Sequence, residues 1–119
     1  MKETNEMTFV VCSQNTYLWT QSEAIKLCTK IESICPQFGC HVALTGGALY
    51  KTGYRKDLDI LFYRIRQVKQ IDMDGLWIAL ERIGIKKKSG FGWCYKAKYG
   101  IKSVDCFFPE EESGEYVHV

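Results

Sequence analysis

The sequence predicts an α/β protein of the α+β kind, a mixed β-sheet backed by two or more helices, and three observations predict it. Between Leu44 and Phe62 a paired glycine leads into Asp57-Leu58-Asp59-Ile60, where charged and apolar residues alternate with the two-residue period of a strand. Two other stretches, one from Ser22 and one from Leu76, repeat apolar residues every three or four positions, the period of a helix packed along one side. A late run, Val104 to Phe108, is apolar except for Asp105 and reads as a further buried strand.

Glu6 to Cys12 has strand character, and Ser13 to Thr20 is polar and turn-like. Ala24, Ile25, Leu27, Cys28, Ile31 and Ile34 then make an amphipathic helix, with Ser22 as its expected N-cap and Pro36 as its stop. His41 to Thr45 is a short buried strand. Gly46 and Gly47 follow, and a helical turn from Ala48 would aim free N–H groups back at them, an arrangement that suits an anion. The strand from Asp57 either extends through Tyr63 to Ile71 or ends within that stretch. A helix begins at Asp72 to Gly75, turns Leu76, Trp77, Leu80 and Ile83 inward and Glu81 and Arg82 to water, and ends at Gly84. Lys86 to Gly90 reads as a basic loop. Phe91 to Lys98 is a strand joined through Tyr99-Gly100 to Ile101 to Phe108, a register that sets Asp105 opposite Cys94 with Lys96 diagonal to it. The acidic segment 110–119 is expected to be a flexible tail.

A chain of 119 residues is expected to form a single domain with its own core. It contains no apolar run of the roughly 20 residues a membrane span needs, and its first residues lack the apolar segment of a signal peptide, so a cytoplasmic protein with no membrane partner is expected. In that compartment the six cysteines read as reduced, mostly buried thiols. A zinc site from Cys35, Cys40 and His41 is the alternative, without the paired Cys-x-x-Cys that would support it. The net charge of +2 conceals an acidic end, Glu110, Glu111, Glu112 and Glu115, and a more basic body, which suits a triphosphate or RNA.

The chemistry concentrates around Asp57 and Asp59. On a strand they share one face, where like charges repel and raise one another's pKa unless a cation offsets them, and a hard divalent ion such as Mg2+ is the natural one. Pairing with Arg55, Lys56 or Arg64 at a charged strand edge is the plainer alternative.

Gly46-Gly47, nine intervening residues, Asp57-Leu58-Asp59, and then Asp105 in an apolar run resemble the signature of the nucleotidyltransferase superfamily of DNA polymerase beta, CCA-adding enzymes and minimal nucleotidyltransferases. The resemblance implies a minimal nucleotidyltransferase fold and transfer of a nucleoside monophosphate from a nucleoside triphosphate such as ATP to an acceptor hydroxyl, releasing pyrophosphate. It implies that Asp57, Asp59 and Asp105 are both the catalytic and the metal-binding residues, holding two Mg2+ or Mn2+ ions, and that Gly46 and Gly47 face the triphosphate. Lys51, Arg55 and Lys56 would neutralise the phosphates from the linker, and Tyr50 or Tyr54 would stack on the base. The acceptor is left open among an RNA 3′ end, a protein and a small molecule, with a partner protein supplying recognition in a two-component system. The residue three beyond Gly47 departs from the pattern, Tyr50 standing where many minimal members carry arginine. A binding module for nucleotide, RNA or protein that keeps the fold without the reaction is the alternative function.

Overall fold

The computed structural model describes residues 17–46 and 53–110. Along them run helix α1 (Gln21–Glu32), a 3-10 turn (Cys35–Phe38), strands β1 (Cys40–Thr45) and β2 (Asp57–Arg64), helix α2 (Met73–Arg82), and strands β3 (Ile85–Phe91), β4 (Cys94–Tyr99) and β5 (Lys102–Phe107). The strands form one mixed sheet in the order β1-β2-β5-β4-β3, in which only the β2–β5 pair is parallel. This is the α+β arrangement that the alternation and the two helical periods predict. The expected strand at Glu6 to Cys12 and the expected helical turn at Ala48 lie outside the described residues. Among the described residues no helix is long and apolar enough to cross a membrane.

The two-residue period of β2 divides the molecule. Leu58, Ile60 and Phe62 are fully buried with Val104, Cys106 and Phe108, and α1 and α2 close over this face through Ala24, Leu27, Ile31, Leu76, Trp77 and Leu80. Phe62 and Phe108 stack at 4.6 Å, and Tyr95 meets Phe108 edge-on at 5.5 Å, an aromatic centre that ties three strands together. Asp57 and Asp59 are thereby left on the opposite face, which no helix among the described residues covers.

Helix α1 starts two residues earlier than Ser22 predicts. Thr20 is the N-cap: its hydroxyl accepts from the Glu23 N–H at 3.1 Å while the Glu23 carboxylate accepts from the Thr20 N–H at 3.0 Å, a reciprocal box that Ser22 has no partner to form. Asp72 caps α2 by accepting from the Gly75 N–H. Trp19, almost fully buried, binds β5 by donating its indole N–H to the Ser103 carbonyl at 2.7 Å, and exchanges two backbone hydrogen bonds with Arg55. That bridge anchors the approach to β2.

Lys86 to Gly90 is strand, not loop. β3 pairs antiparallel with β4 through a two-residue turn at Gly92-Trp93, and an irregularity between Lys87 and Ser89 lets the chain pass Lys88. The ammonium of Lys87 lies over Trp77 and Tyr95, at 5.3 and 5.2 Å from the ring centres, so a lysine takes the place of an apolar residue on the packed side. The β4–β5 turn is at Gly100-Ile101 rather than Tyr99-Gly100, because Gly100 takes the positive φ of 66°.

Candidate active site on the open sheet face

Strand β2 lies parallel to β5 with Asp59 in register with Asp105 and Asp57 in register with Ser103. Residues paired across neighbouring strands point the same way, so Asp57, Asp59 and Asp105 share the face opposite the helices. The next strand adds a cation. Lys96 on β4 is in register with Asp105, and its ammonium lies 3.2 Å from the Asp105 carboxylate. The predicted register set Cys94 in that place; moving the turn by one residue shifts the pairing by two, so Cys94 faces Phe107 and Lys96 moves from the diagonal to the direct position. Parity is unchanged by a shift of two, which is why the same side chains share the face in both registers.

Asp105 is the most enclosed of the three, 9% exposed, and Lys96 is its ion-pair partner. Asp59 is half-buried, and its carboxyl is pushed above the ordinary carboxylate range. Burial contributes most, followed by the negative charge of Asp105 and the hydrogen bond that a protonated Asp59 makes to it. Asp57 adds to the repulsion and Lys96 opposes it. The hydrogen bond to Asp105, and after it the charge of Asp105, raises the Lys96 pKa. Two carboxylates are therefore crowded together and one lysine compensates them incompletely.

Gly46 closes the site from the β1 side. Thr45, the last residue of β1, is in register with Asp59, and Gly46 turns away with a φ of 71°. A side chain at Gly46 would put its Cβ 2.9 Å from an Asp59 carboxylate oxygen, closer than atoms in that position pack. The glycine lets backbone run directly past the carboxylate.

Other expected site residues fare differently. Gly47, Tyr50 and Lys51 lie outside the described residues. Arg55 is half-buried and tied to Trp19 by its backbone, Lys56 and Tyr54 are exposed, and among the described residues neither Arg55, Lys56 nor Arg64 forms an ion pair with Asp57 or Asp59. The charged-edge explanation of the two aspartates is not the one realised there. The arginine of Arg64 instead donates to the Val68 carbonyl at 2.8 Å. His41 lies at the far end of β1 opposite Tyr63, with Nδ1 2.7 Å from the Glu32 carboxylate. Cys40 donates weakly to the Cys35 carbonyl, and the five described cysteines are free, with the thiols of Cys28, Cys35 and Cys106 pushed up by burial or by neighbouring thiols. Nothing there gathers Cys35, Cys40 and His41 around a zinc ion.

No three His, Cys, Asp or Glu side chains among the described residues converge closely enough to grip a metal as they stand. The donor chemistry nevertheless fits a hard divalent cation: three carboxylates on one face, all oxygen, with residual like-charge repulsion at Asp59. Lys96 was legible as a neighbour of Asp105, but its direct opposition depends on the hairpin turn. The sequence matches no known family model and no curated protein.

Proposed function

We propose that the protein is a divalent-metal-dependent nucleotidyltransferase acting on a nucleoside triphosphate. The observation that carries this reading is the in-register Asp59–Asp105 pair on the face that no helix among the described residues covers, with Asp57 beside it and a Cβ-free turn at Gly46 against Asp59. Asp57, Asp59 and Asp105 would hold the ion. Bound there, Mg2+ supplies charge neutralisation for the phosphates and lowers the pKa of an acceptor hydroxyl. The chain's own residues have separate tasks. Gly46 leaves room for a phosphate to approach the carboxylates. The sheet fixes the spacing of the aspartates without a mobile loop, as phosphoryl transfer requires, since its catalysis is mostly positioning and charge stabilisation. Asp105, held by Lys96, is oriented to accept the acceptor's proton. The acceptor oxygen forms a bond to the α-phosphorus as the bond to pyrophosphate breaks, and the proton passes through the carboxylate to solvent.

The Lys96–Asp105 pair favours a second reading, a nucleotide-, RNA- or protein-binding module, because a lysine already offsets part of the charge a metal would offset. One experiment separates the two. Incubation with each α-32P-labelled nucleoside triphosphate, Mg2+ or Mn2+, total RNA and a cell lysate should label an acceptor with the wild type and not with the double variant Asp57→Ala/Asp59→Ala, both proteins being folded by circular dichroism. Undiminished labelling by the double variant would sink the enzyme; metal-independent binding without labelling would favour the module.

A further inference from the structure

We infer that the acceptor is a single-stranded nucleic acid, held by a lysine patch on β3 and β4 and by the Trp93–Phe107 aromatic pair. The inference rests on the transferase reading for the word acceptor, and on independent features for the nucleic acid. Lys86 and Lys98 are cross-strand partners, like charges set directly opposite, an arrangement that costs the fold stability. Lys88 joins them at the irregularity in β3, and the three ammonium-bearing chains line one hollow of about 460 Å3 with Gly84, Gly100 and Ile101. Lys98 reaches the Ser103 hydroxyl at 3.0 Å, and Ser103 is in register with Asp57, which places Lys98 and its partner Lys86 on the same face as the carboxylates.

Across the sheet the row therefore runs Asp57, Ser103, Lys98, Lys86, from acid through hydroxyl to base, and at about 4.8 Å per strand it spans about 14 Å. Gly46 lies on the other flank, where β1 borders β2. A triphosphate at the glycine turn leaves the lysine flank to the second substrate, and a polyanion is what that flank suits. Farther along the same face, Phe107 follows Asp105 by two residues and meets Trp93 at 5.6 Å, and Trp93 is 43% exposed. Cations that track phosphates beside an aromatic platform are the two components of single-strand binding. Lysines rather than arginines make it tolerant of sequence, since an ammonium is a point charge without the fork that reads base edges.

The test uses the full chain in EDTA and measures fluorescence anisotropy of a fluorescein-labelled 12-nucleotide RNA between 50 and 200 mM salt. The wild type should bind, and Lys86→Gln/Lys88→Gln/Lys98→Gln should bind at least about ten-fold more weakly, with the slope of log K against log salt reduced in magnitude by about 2, three phosphates at about 0.7 each. Trp93→Ala should weaken binding about ten-fold at an unchanged slope, one base's stacking. Lys26→Gln/Lys30→Gln, a charge-removing control on α1, should stay within about two-fold of wild type. The triple variant relieves a like-charge pair, so its melting temperature should not fall. No binding by the wild type at 50 mM salt, an unaffected triple variant, an equally weakened control, or displacement of the RNA by poly-glutamate at equal charge would overturn the inference, the last in favour of an acidic polypeptide. Asp57→Asn/Asp59→Asn keeps the two readings apart. Lysine-dependent RNA binding without transfer by any form would retire the enzyme and uphold the surface, whereas transfer to protein without RNA binding would retire the surface and uphold the enzyme.

Discussion

Replacing Asp59 by asparagine should make the protein more stable at neutral pH, the opposite of what removing a half-buried polar residue usually does. The variant keeps the side chain's shape, removes its charge, and gives Asp105 a hydrogen-bond donor. Asp59 and Asp105 are in register on neighbouring strands, about 5 Å apart by the geometry of a sheet. Two unit charges at that distance repel by about 3 kcal/mol at an effective dielectric constant near 20 and by about 1 kcal/mol in water. Asp59 is half-exposed and Lys96 cancels part of the field, so a gain of about 1–2 kcal/mol is expected, or several degrees in melting temperature for a domain of this size. The sign in pH follows from the raised pKa. The folded state holds the Asp59 proton more tightly than the unfolded chain does, so between the ordinary carboxylate pKa, about 4, and the folded value, stability falls as pH rises. The difference between variant and wild type should be absent below that window, open through it and stay constant above. Urea denaturation in EDTA at several pH values from 3.5 to 7.5 measures it. An asparagine variant equal to or less stable than wild type at pH 7.5 would refute the crowding. Magnesium supplies a separate arm: with a Kd near 1 mM, 10 mM Mg2+ would stabilise the wild type by about 1.4 kcal/mol and leave the variant behind. Crowding without a magnesium effect would leave the electrostatics standing and remove the metal.

Three further outcomes follow from the same geometry. Lys96→Met should destabilise the fold by about 1 kcal/mol at pH 7 by leaving the enclosed Asp105 unpaired, and Lys96→Met/Asp105→Asn should recover most of it, a double-mutant cycle read by denaturation. Gly46→Ala should cost about 1–2 kcal/mol from its φ of 71° and push the Asp59 carboxylate aside, so its transfer activity should fall by more than its thermal stability predicts; full activity would show that the close approach has no role. Thr20→Ala should cost about 1 kcal/mol and Ser22→Ala close to nothing, a comparison of melting temperatures that checks which residue caps α1.

How much of this was legible depends on which physical signal each residue carries. The faces of β2 were legible because a two-residue period is local: Leu58, Ile60 and Phe62 have to be buried together, and Asp57 and Asp59 then have to be opposite them. Asp105 was legible for the same reason, as one charge in an apolar run. Lys86 to Gly90 was not, because three lysines, a serine and a glycine have little strand preference of their own; pairing with β4 and the packing of the Lys87 stem on Trp77 and Tyr95 override that preference. The partner of Asp105 was missed by two residues because either Tyr99-Gly100 or Gly100-Ile101 satisfies the turn chemistry of a glycine in a hairpin.

The unread strand and the misplaced turn bear on the same question, which is what the β4 and β3 flank adds to three aspartates. With Lys86 to Gly90 as a loop, its charges would be solvated and free to point anywhere, and the site would end at Asp105. As a strand, it fixes Lys86 against Lys98 and extends the open face by one more row, at a cost in repulsion that the domain need not have accepted had either position been neutral. The same turn that brings Lys96 onto Asp105 brings Lys98 onto Ser103, so one register sets both the cation that steadies the acid and the cations beyond it. Shortening that turn by deleting Ile101 would test the coupling: a one-residue slip sends Lys96 and Lys98 to the packed face or forces a bulge, so RNA affinity should fall, while the magnesium-dependent stability, carried by carboxylates that the β2–β5 pairing sets, should persist or rise as Lys96 leaves Asp105. Unchanged RNA affinity would mean that the register of β4 does not position the basic half of the face.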